Sequence, residues 1–137
     1  MQLREDVRTF LEEERFAVLA TVNANGSPQQ TVMWYELRGD TIVMNTKPGR
    51  KKDRNLSRDP RASVCVEDGF RYVTLDGVIE FIEDPATAQA DIAALARRYH
   101  DAETAEKMAR EVFAPQERVT LVLHVDRADV HGFDGEE

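Results

Sequence analysis

The chain has 137 residues, of which 42% are hydrophobic and 32% charged, and its formal net charge is −8. This length and balance are typical of a single soluble globular domain spanning residues 1–137, and the acidic charge argues against general nucleic-acid binding. No apolar run approaches the roughly 20 residues of a membrane span, and the single cysteine, Cys65, favours a cytoplasmic protein with a buried structural thiol.

The first half of the chain predicts one helix followed by four strands. Apolar residues recur at helical spacing from Leu3 to Leu11, which predicts an amphipathic helix over residues 2–14. The dipeptide Asn25-Gly26 is a strong hairpin signal between two strands. Apolar and β-branched runs predict strands over residues 16–22, 29–37, 40–46 and 61–67.

The second half predicts a helical pair enclosed by further strands. A long strand over residues 70–82 is expected to bulge at Gly77, and Pro85 opens the first helix. The expected elements that follow are helices over 86–99 and 102–113, a strand over 118–125 and a short seventh strand over 126–133. Six or seven mostly antiparallel strands predict a small closed barrel, because closure removes exposed edges; the alternative is an open α+β sandwich.

Residues 45–61 gather much of the positive charge. This stretch holds seven of the 18 lysines and arginines but only two acidic residues, so it carries +5 in a chain of net −8. Pro48 and Gly49 separate a strand from a helix over residues 50–58, so the bases lie where a helix begins and its first N–H groups lack partners. The pattern predicts a phosphate-binding site, and the alternative is a solvated basic helix.

The sequence contains no convincing protein-based catalytic constellation. It lacks HExxH, GxSxG and GxGxxG motifs, and its three histidines show no metal-ligand spacing. No catalytic side chain and no metal site are therefore predicted. This pattern is expected where a bound cofactor supplies the chemistry while the protein holds, orients and desolvates it.

The residues from Arg50 to Val64 follow the pattern Arg-x-Lys-x-x-Asn-Leu-x-x-Asp-Pro-Arg-Ala-Ser-Val. Together with the hairpin segments LATVNANGSPQ and FRYVTLDGVIEFIED, this pattern resembles the FMN-binding split-barrel fold of the pyridoxamine 5′-phosphate oxidase-like superfamily. The most similar branch uses the deazaflavin coenzyme F420. The resemblance covers roughly residues 5–133 and implies an all-β core, a split β-barrel, with helical excursions.

The resemblance also implies a homodimer with the cofactor in the groove between two chains. Arg50 and Lys52 would hold the cofactor phosphate, with Lys47 and Lys51 adding positive field. The other cofactor-binding positions that it implies are Asn45 and Thr46 below the ribityl chain, Gln30, Thr31, Val32, Met33 and Trp34 along the ring, and Phe70 and Tyr72 from the partner chain. Alternatively, Thr46 is a simple strand end, and Trp34 and Phe70 are ordinary core aromatics.

The implied activity is hydride transfer between F420 and an unsaturated small organic substrate. A group of five or more cations suits the phosphodiester and polyglutamate tail of F420 better than the single phosphate of FMN requires. Two alternatives stay open: an FMN-dependent oxidase or reductase, and a non-catalytic flavin- or haem-binding module. The C-terminal DVHGFDGEE lacks the Trp- and Arg-containing tail of pyridoxamine-phosphate oxidases proper, which disfavours pyridoxal phosphate as substrate or product.

Overall fold

The computed structural model describes residues 1–134, and no helix among them is long and apolar enough to cross a membrane. In chain order the elements are α1 (Glu5–Glu12), β1 (Ala17–Val22), β2 (Pro28–Met33), β3 (Glu36–Arg38), β4 (Thr41–Thr46), α2 (Lys51–Arg58), β5 (Arg61–Glu67), β6 (Tyr72–Ile82), α3 (Pro85–Tyr99), α4 (Ala102–Met108) and β7 (Val119–His131). A single π-helical turn, Ala109–Phe113, continues α4.

The strands form one antiparallel sheet in the order β2-β1-β5-β6-β7-β4-β3. Its two edge strands, β2 and β3, are consecutive in the chain and are separated only by Trp34 and Tyr35. Because an extended chain spans at most about 3.6 Å per residue, the two edges lie within about 11 Å of each other. The sheet therefore curls into a barrel that stays open between β2 and β3, which confirms the split-barrel class and corrects the expected full closure.

Two strand boundaries differ from the sequence-based prediction. The strand expected over residues 29–37 is broken into β2 and β3, and the two strands expected over residues 118–133 form the continuous strand β7. The break arises because Tyr35 turns its side chain into the core, where it is fully buried. The continuity of β7 arises because β6 pairs with it along its whole length.

The predicted bulge at Gly77 is confirmed. Gly77 pairs with Val125 whereas Asp76 pairs with Arg127, so one residue of β7 is left unpaired between them. A Cβ atom at Gly77 would lie 2.0 Å from the backbone oxygen of His124. Only glycine allows β6 and β7 to approach this closely, and the bulge absorbs the extra residue without ending the strand.

Tyr99, the last residue of α3, fills the gap between the two edge strands. Its hydroxyl accepts a hydrogen bond of 3.0 Å from the Tyr35 N–H, and it donates to the Arg15 carbonyl at 2.5 Å, with the Tyr35 carbonyl 3.1 Å away. Its ring stacks between Phe16 and Trp34, with centroid distances of 5.2 and 5.4 Å. The Tyr99 side chain thus forms hydrogen bonds with backbone groups that would pair with a neighbouring strand in a continuous sheet.

Two hydrophobic clusters stabilise this arrangement. The larger one fills the barrel and includes Phe10 and Leu11 from α1. Arg98 ties the end of α1 to α3, because it donates to the carbonyls of Leu11, Glu12 and Glu13 at 3.1, 3.0 and 2.7 Å. The smaller cluster lies between α3 and α4, and the residues packed in or against it include Leu95, Phe113, Trp34 and Met108.

We predict that Tyr99→Phe lowers the free energy of unfolding by about 1–3 kcal/mol, because it leaves partly buried backbone groups at the split without their partner. Urea denaturation of the two proteins measures the difference. Tyr72→Phe is the matched control, since Tyr72 is 42% exposed and stacks on His131 at the surface. Equal losses from the two substitutions would show that the Tyr99 hydroxyl has no special part in the fold.

Candidate functional site

Three of the seven bases in residues 45–61 have structural partners. Arg61 forms an ion pair of 2.6 Å with Asp59. Arg58 donates to the Val22 carbonyl at 2.8 Å, and Arg54 donates to a backbone carbonyl in the turn before α2. These contacts brace α2 against its neighbours, so these three charges are partly committed to the fold.

The side chains of the other four bases, Lys47, Arg50, Lys51 and Lys52, form no hydrogen bond or ion pair within residues 1–134. They surround the turn between β4 and α2, where Gly49 has a φ of 84° and its N–H donates to Asp53 Oδ2 at 2.7 Å. These are the four bases to which the family resemblance assigned the cofactor phosphate and the field around it. Their lack of partners in the free chain is typical of a site that awaits an anion, and their binding role stays a prediction.

Lys52 is buried, unlike the residues of the solvated basic helix that was the alternative for this stretch. Only 6% of its surface is exposed, because it lies on the inner face of α2 beside Asn55 and Leu56. Burial lowers its pKa from the usual 10.5, and repulsion from Arg50 and from Arg118 lowers it further. A cation held in this way costs stability, and a bound anion would offset that cost.

Arg118 joins this cluster, and sequence reasoning missed it. It precedes β7, and the pairing of Thr46 with Val119 places it beside the end of β4. Its Nε donates to Asn45 Oδ1 and its Nη1 to Gln116 Oε1, each at 2.9 Å. Burial, and then repulsion from Arg50, lowers the pKa of Arg118 to about 10. Only the register of β4 against β7 brings it here, so no local sequence signal could have found it.

The Asn45 amide is largely occupied by the protein itself. Its Nδ2 donates to the Ala88 carbonyl at 2.9 Å and to Thr120 Oγ1 at 3.3 Å, and its Oδ1 accepts from Arg118. Both amide protons are therefore used, and one acceptor position remains for a ligand. Asn45 thus orients Arg118, and the direct cofactor contact that the resemblance implied for Asn45 stays a prediction.

A buried carboxylate continues this hydrogen-bond network. Asp91 accepts from Thr120 Oγ1 at 2.7 Å and forms an ion pair of 2.7 Å with Arg38. Arg38 also pairs with Glu36 at 3.1 Å. The negative charge nearest to Asn45 in this network is thus neutralised by Arg38 and not by Arg118.

An apolar cavity of about 320 Å³ adjoins the cation cluster. It is lined by Val32, Met33, Trp34, Asn45, Ile92, Leu95, Met108, Phe113 and Arg118. Trp34 presents its ring to the edge of Phe113 at a centroid distance of 6.3 Å. Four predicted site residues, from the ends of β2 and β4, therefore meet in one cavity with a cation that was not predicted.

The remaining predicted positions lie around this cavity or outside it. Side chains alternate along β2, so Gln30 and Val32 share the outer face while Thr31 and Met33 point to the other side. Thr46 is buried at the end of β4. The protein surface along β2 can therefore present only every second side chain to a flat ligand.

Phe70 and Tyr72 lie at the turn between β5 and β6 and do not line the cavity. Phe70 is 73% exposed, and both rings contact His131 of the same chain. Their implied role, reaching the site of a second copy, stays a prediction.

Comparison with known proteins agrees with this architecture. A family model for pyridoxamine 5′-phosphate oxidase matches residues 3–132. The chain belongs to this family, whose members are split-barrel proteins that bind flavin-type cofactors. The family resemblance predicted from the sequence is therefore confirmed.

Solved structures with the same fold differ in what is known of them. The conserved hypothetical protein Rv2991 from Mycobacterium tuberculosis is 28% identical, with a TM-score of 0.80 over 98% of this chain and 91% of that chain. An F420 reductase is 26% identical, with a TM-score of 0.74 over 93% and 98% of the two chains. HutZ, the heme storage protein from Vibrio cholerae, is 22% identical, with a TM-score of 0.72 over 97% of each chain, and shows the fold alone.

We predict that Lys52→Met raises the thermal midpoint of the ligand-free protein by about 2–8 °C, because it replaces a buried, unpaired ammonium with an apolar chain of similar length. Differential scanning calorimetry measures the shift. Lys51→Met is the matched control, since its side chain is exposed and it should change the midpoint little.

The same substitution has a predictable pH dependence. The pKa of Lys52 is lowered by folding, so its cost to the folded state is full below that pKa and shrinks as the pH rises towards 10.5. The advantage of Lys52→Met should therefore be larger at neutral pH than in alkaline buffer. An advantage that grows with pH would contradict this explanation.

Proposed function

We propose that this protein is an F420-dependent oxidoreductase acting on an unsaturated small organic molecule. A bound deazaflavin supplies hydride transfer at its C5 carbon. The observation that carries the proposal is the pair of unpaired cations, Arg50 and Lys52, which lie close to an apolar cavity lined by Trp34 and Arg118. The donor set fits a phosphorylated cofactor, because a phosphate stabilises the charged form of a lysine that burial disfavours.

The roles of the chain's own residues follow from their surroundings. Arg50 and Lys52 hold the phosphate, and Lys47 and Lys51 add positive field around it. The strand β2 supports the ring, and the cavity places apolar side chains beside it. No side chain is assigned a proton-transfer role, so the proton comes from solvent.

The distribution of charge supports F420 over FMN. Lys51, Arg54 and Arg58 lie on the exposed face of α2 and line an open cavity of about 540 Å³ together with Asn23 and Asn25. One phosphate group does not need this second group of cations, whereas a phosphodiester with a polyglutamate tail does. Similarity to an F420 reductase supports the same choice. The single cysteine is in keeping with a cytoplasmic site of action.

The proposal predicts that the protein binds F420 more tightly than FMN or haem, and that Lys52→Ala weakens F420 binding by about tenfold to a hundredfold, the loss of one charged hydrogen bond. Titrations followed by cofactor absorbance measure each affinity. Lys107→Ala is the control, because Lys107 is an exposed lysine of α4 that lies outside residues 45–61 and outside the cavities assigned to the cofactor. Equal losses of F420 affinity from the two substitutions would mean that a diffuse positive field binds the cofactor. Tighter binding of FMN or haem than of F420 would show that the proposed cofactor is wrong.

We also propose that the protein works as a homodimer. The strand register places Val32, Val18, Cys65 and Thr74 in one row on the outer face of the sheet. Val32 is 66% exposed, and Cys65, expected in the core, is only half-buried because it lies in this row. A row that is apolar across three neighbouring strands is unusual for a surface that faces only water. A second copy covering it would also bring Phe70 and Tyr72 within reach of a shared groove.

We therefore expect light scattering to show a dimer at micromolar concentration, with an interface above about 2,000 Å² in total. Val32→Lys should shift the equilibrium to monomer, because it places a charge in the row. Val112→Lys is the control, since Val112 is exposed on the π-helical turn and outside the sheet. A monomeric wild-type protein would end this part of the proposal.

A further inference from the structure

The apolar cavity has the dimensions and lining of a small-molecule pocket. Its volume of about 320 Å³ falls at the lower end of the range typical for ligand pockets. Met108 and Phe113 bound it from α4 and the π-helical turn, where the Ala114 N–H reaches the Ala109 carbonyl at 2.9 Å. Such turns insert one extra residue into a helix and often occur beside functional sites. Here the turn directs the Phe113 ring into the cavity wall.

Arg118 supplies the charge in this otherwise apolar wall. Within the described part of the chain, no carboxylate lies within ion-pair distance of its guanidinium. Asn45 and Gln116 occupy two of its five N–H groups, which leaves three for a ligand. The guanidinium is thereby fixed in orientation yet free to donate, which is the arrangement that binds a carboxylate through two parallel hydrogen bonds.

The surroundings of Arg118 differ on its two sides. Asp53, Glu83 and Glu117 line a second cavity of about 350 Å³ that it also borders. Their negative field disfavours an anion arriving from that side. The lining of the first cavity is mostly apolar and aromatic and contains no acidic residue, so an anion there faces no competing carboxylate. A dianionic phosphate is better matched by Arg50 and Lys52, which leaves Arg118 for a group of single charge.

We propose that the substrate is an organic acid with an apolar body, that the body occupies the cavity beside Trp34, and that its carboxylate binds Arg118. This inference rests on the proposed function, since it names the substrate class of the same site. Asn45 is then a positioning residue, because it holds the guanidinium in place without meeting the substrate's carboxylate.

Trp34 provides a direct measurement of binding, because it is the only tryptophan in the chain and it lines the cavity. The probes are 4-phenylbutyrate and its neutral isostere 4-phenylbutanamide, each titrated into the cofactor-free protein. We expect the acid to bind about tenfold to a hundredfold more tightly than the amide, since charged hydrogen bonds exceed neutral ones by this amount. Equal affinities, or no fluorescence change with either probe, would overturn the proposal.

Variants separate the guanidinium from the cavity. In Arg118→Gln the acid should lose its advantage while the amide binds within about twofold of its wild-type affinity. Arg97→Gln, an exposed arginine of α3, is the matched control and should retain the advantage. Met108→Phe should weaken both probes by filling the cavity, which keeps the proposal testable if Arg118→Gln does not fold. An advantage that persists without the guanidinium would overturn the assignment.

A competition experiment distinguishes this inference from the proposed function. F420 is titrated into the same samples by absorbance, and inorganic phosphate is added to the 4-phenylbutyrate complex. We expect phosphate to leave the acid bound and Arg118→Gln to keep most of its F420 affinity. If phosphate displaces the acid and Arg118→Gln abolishes F420 binding, Arg118 belongs to the cofactor anchor and the inference fails. If the acid binds as expected but F420 does not, only the proposed function fails.

Discussion

The structure depends on one constraint of chain connectivity: the two edges of the sheet are consecutive strands joined by two residues. Met33 ends one edge and Glu36 begins the other, so the intervening backbone must cross the mouth of a curled sheet. In this crossing segment the backbone N–H and C=O groups of Tyr35 have no neighbouring strand to pair with. The Tyr99 hydroxyl serves them, so the end of α3 must lie at the split. The position of the helical pair follows from this single requirement.

The candidate site follows from the same geometry. Because α3 is held at the split, α4 and its π-helical turn pack near the ends of β2 and β4 and form part of the wall of an open cavity there. The buried acid nearest to the cavity, Asp91, is neutralised by Arg38 on β3. Arg118 therefore keeps an unpaired charge although it belongs to the same hydrogen-bond network. The burial of Lys52 and Arg118 without an acidic partner lowers the stability of the fold, as is typical of binding sites.

Local signals in the sequence were sufficient for most of the fold. The hairpin at Asn25-Gly26, the bulge at Gly77 and the helix start at Pro85 each depend on residues within a few positions of one another. The break after Met33 could not be predicted in this way, because the buried Tyr35 that causes it depends on backbone hydrogen bonds to Tyr99, 64 residues further along the chain. Full closure was expected because proteins generally avoid exposed sheet edges. In this structure the Tyr99 hydroxyl forms hydrogen bonds with the backbone at the split in place of strand pairing.

The same distinction applies to the site: some of its features depend on neighbouring residues in the sequence, and others depend on residues far along the chain. Clustering of bases in residues 45–61 is visible in the sequence, but their partners are not, and partners decide which charges remain available. Lys52 and Arg58 look alike in the sequence, yet one is buried without a partner and the other braces α2 through the Val22 carbonyl. Trp34 shows the same dependence on distant residues. It stacks on the tyrosine that fills the split and also lines the cavity, so the contact that completes the barrel fixes one wall of the site.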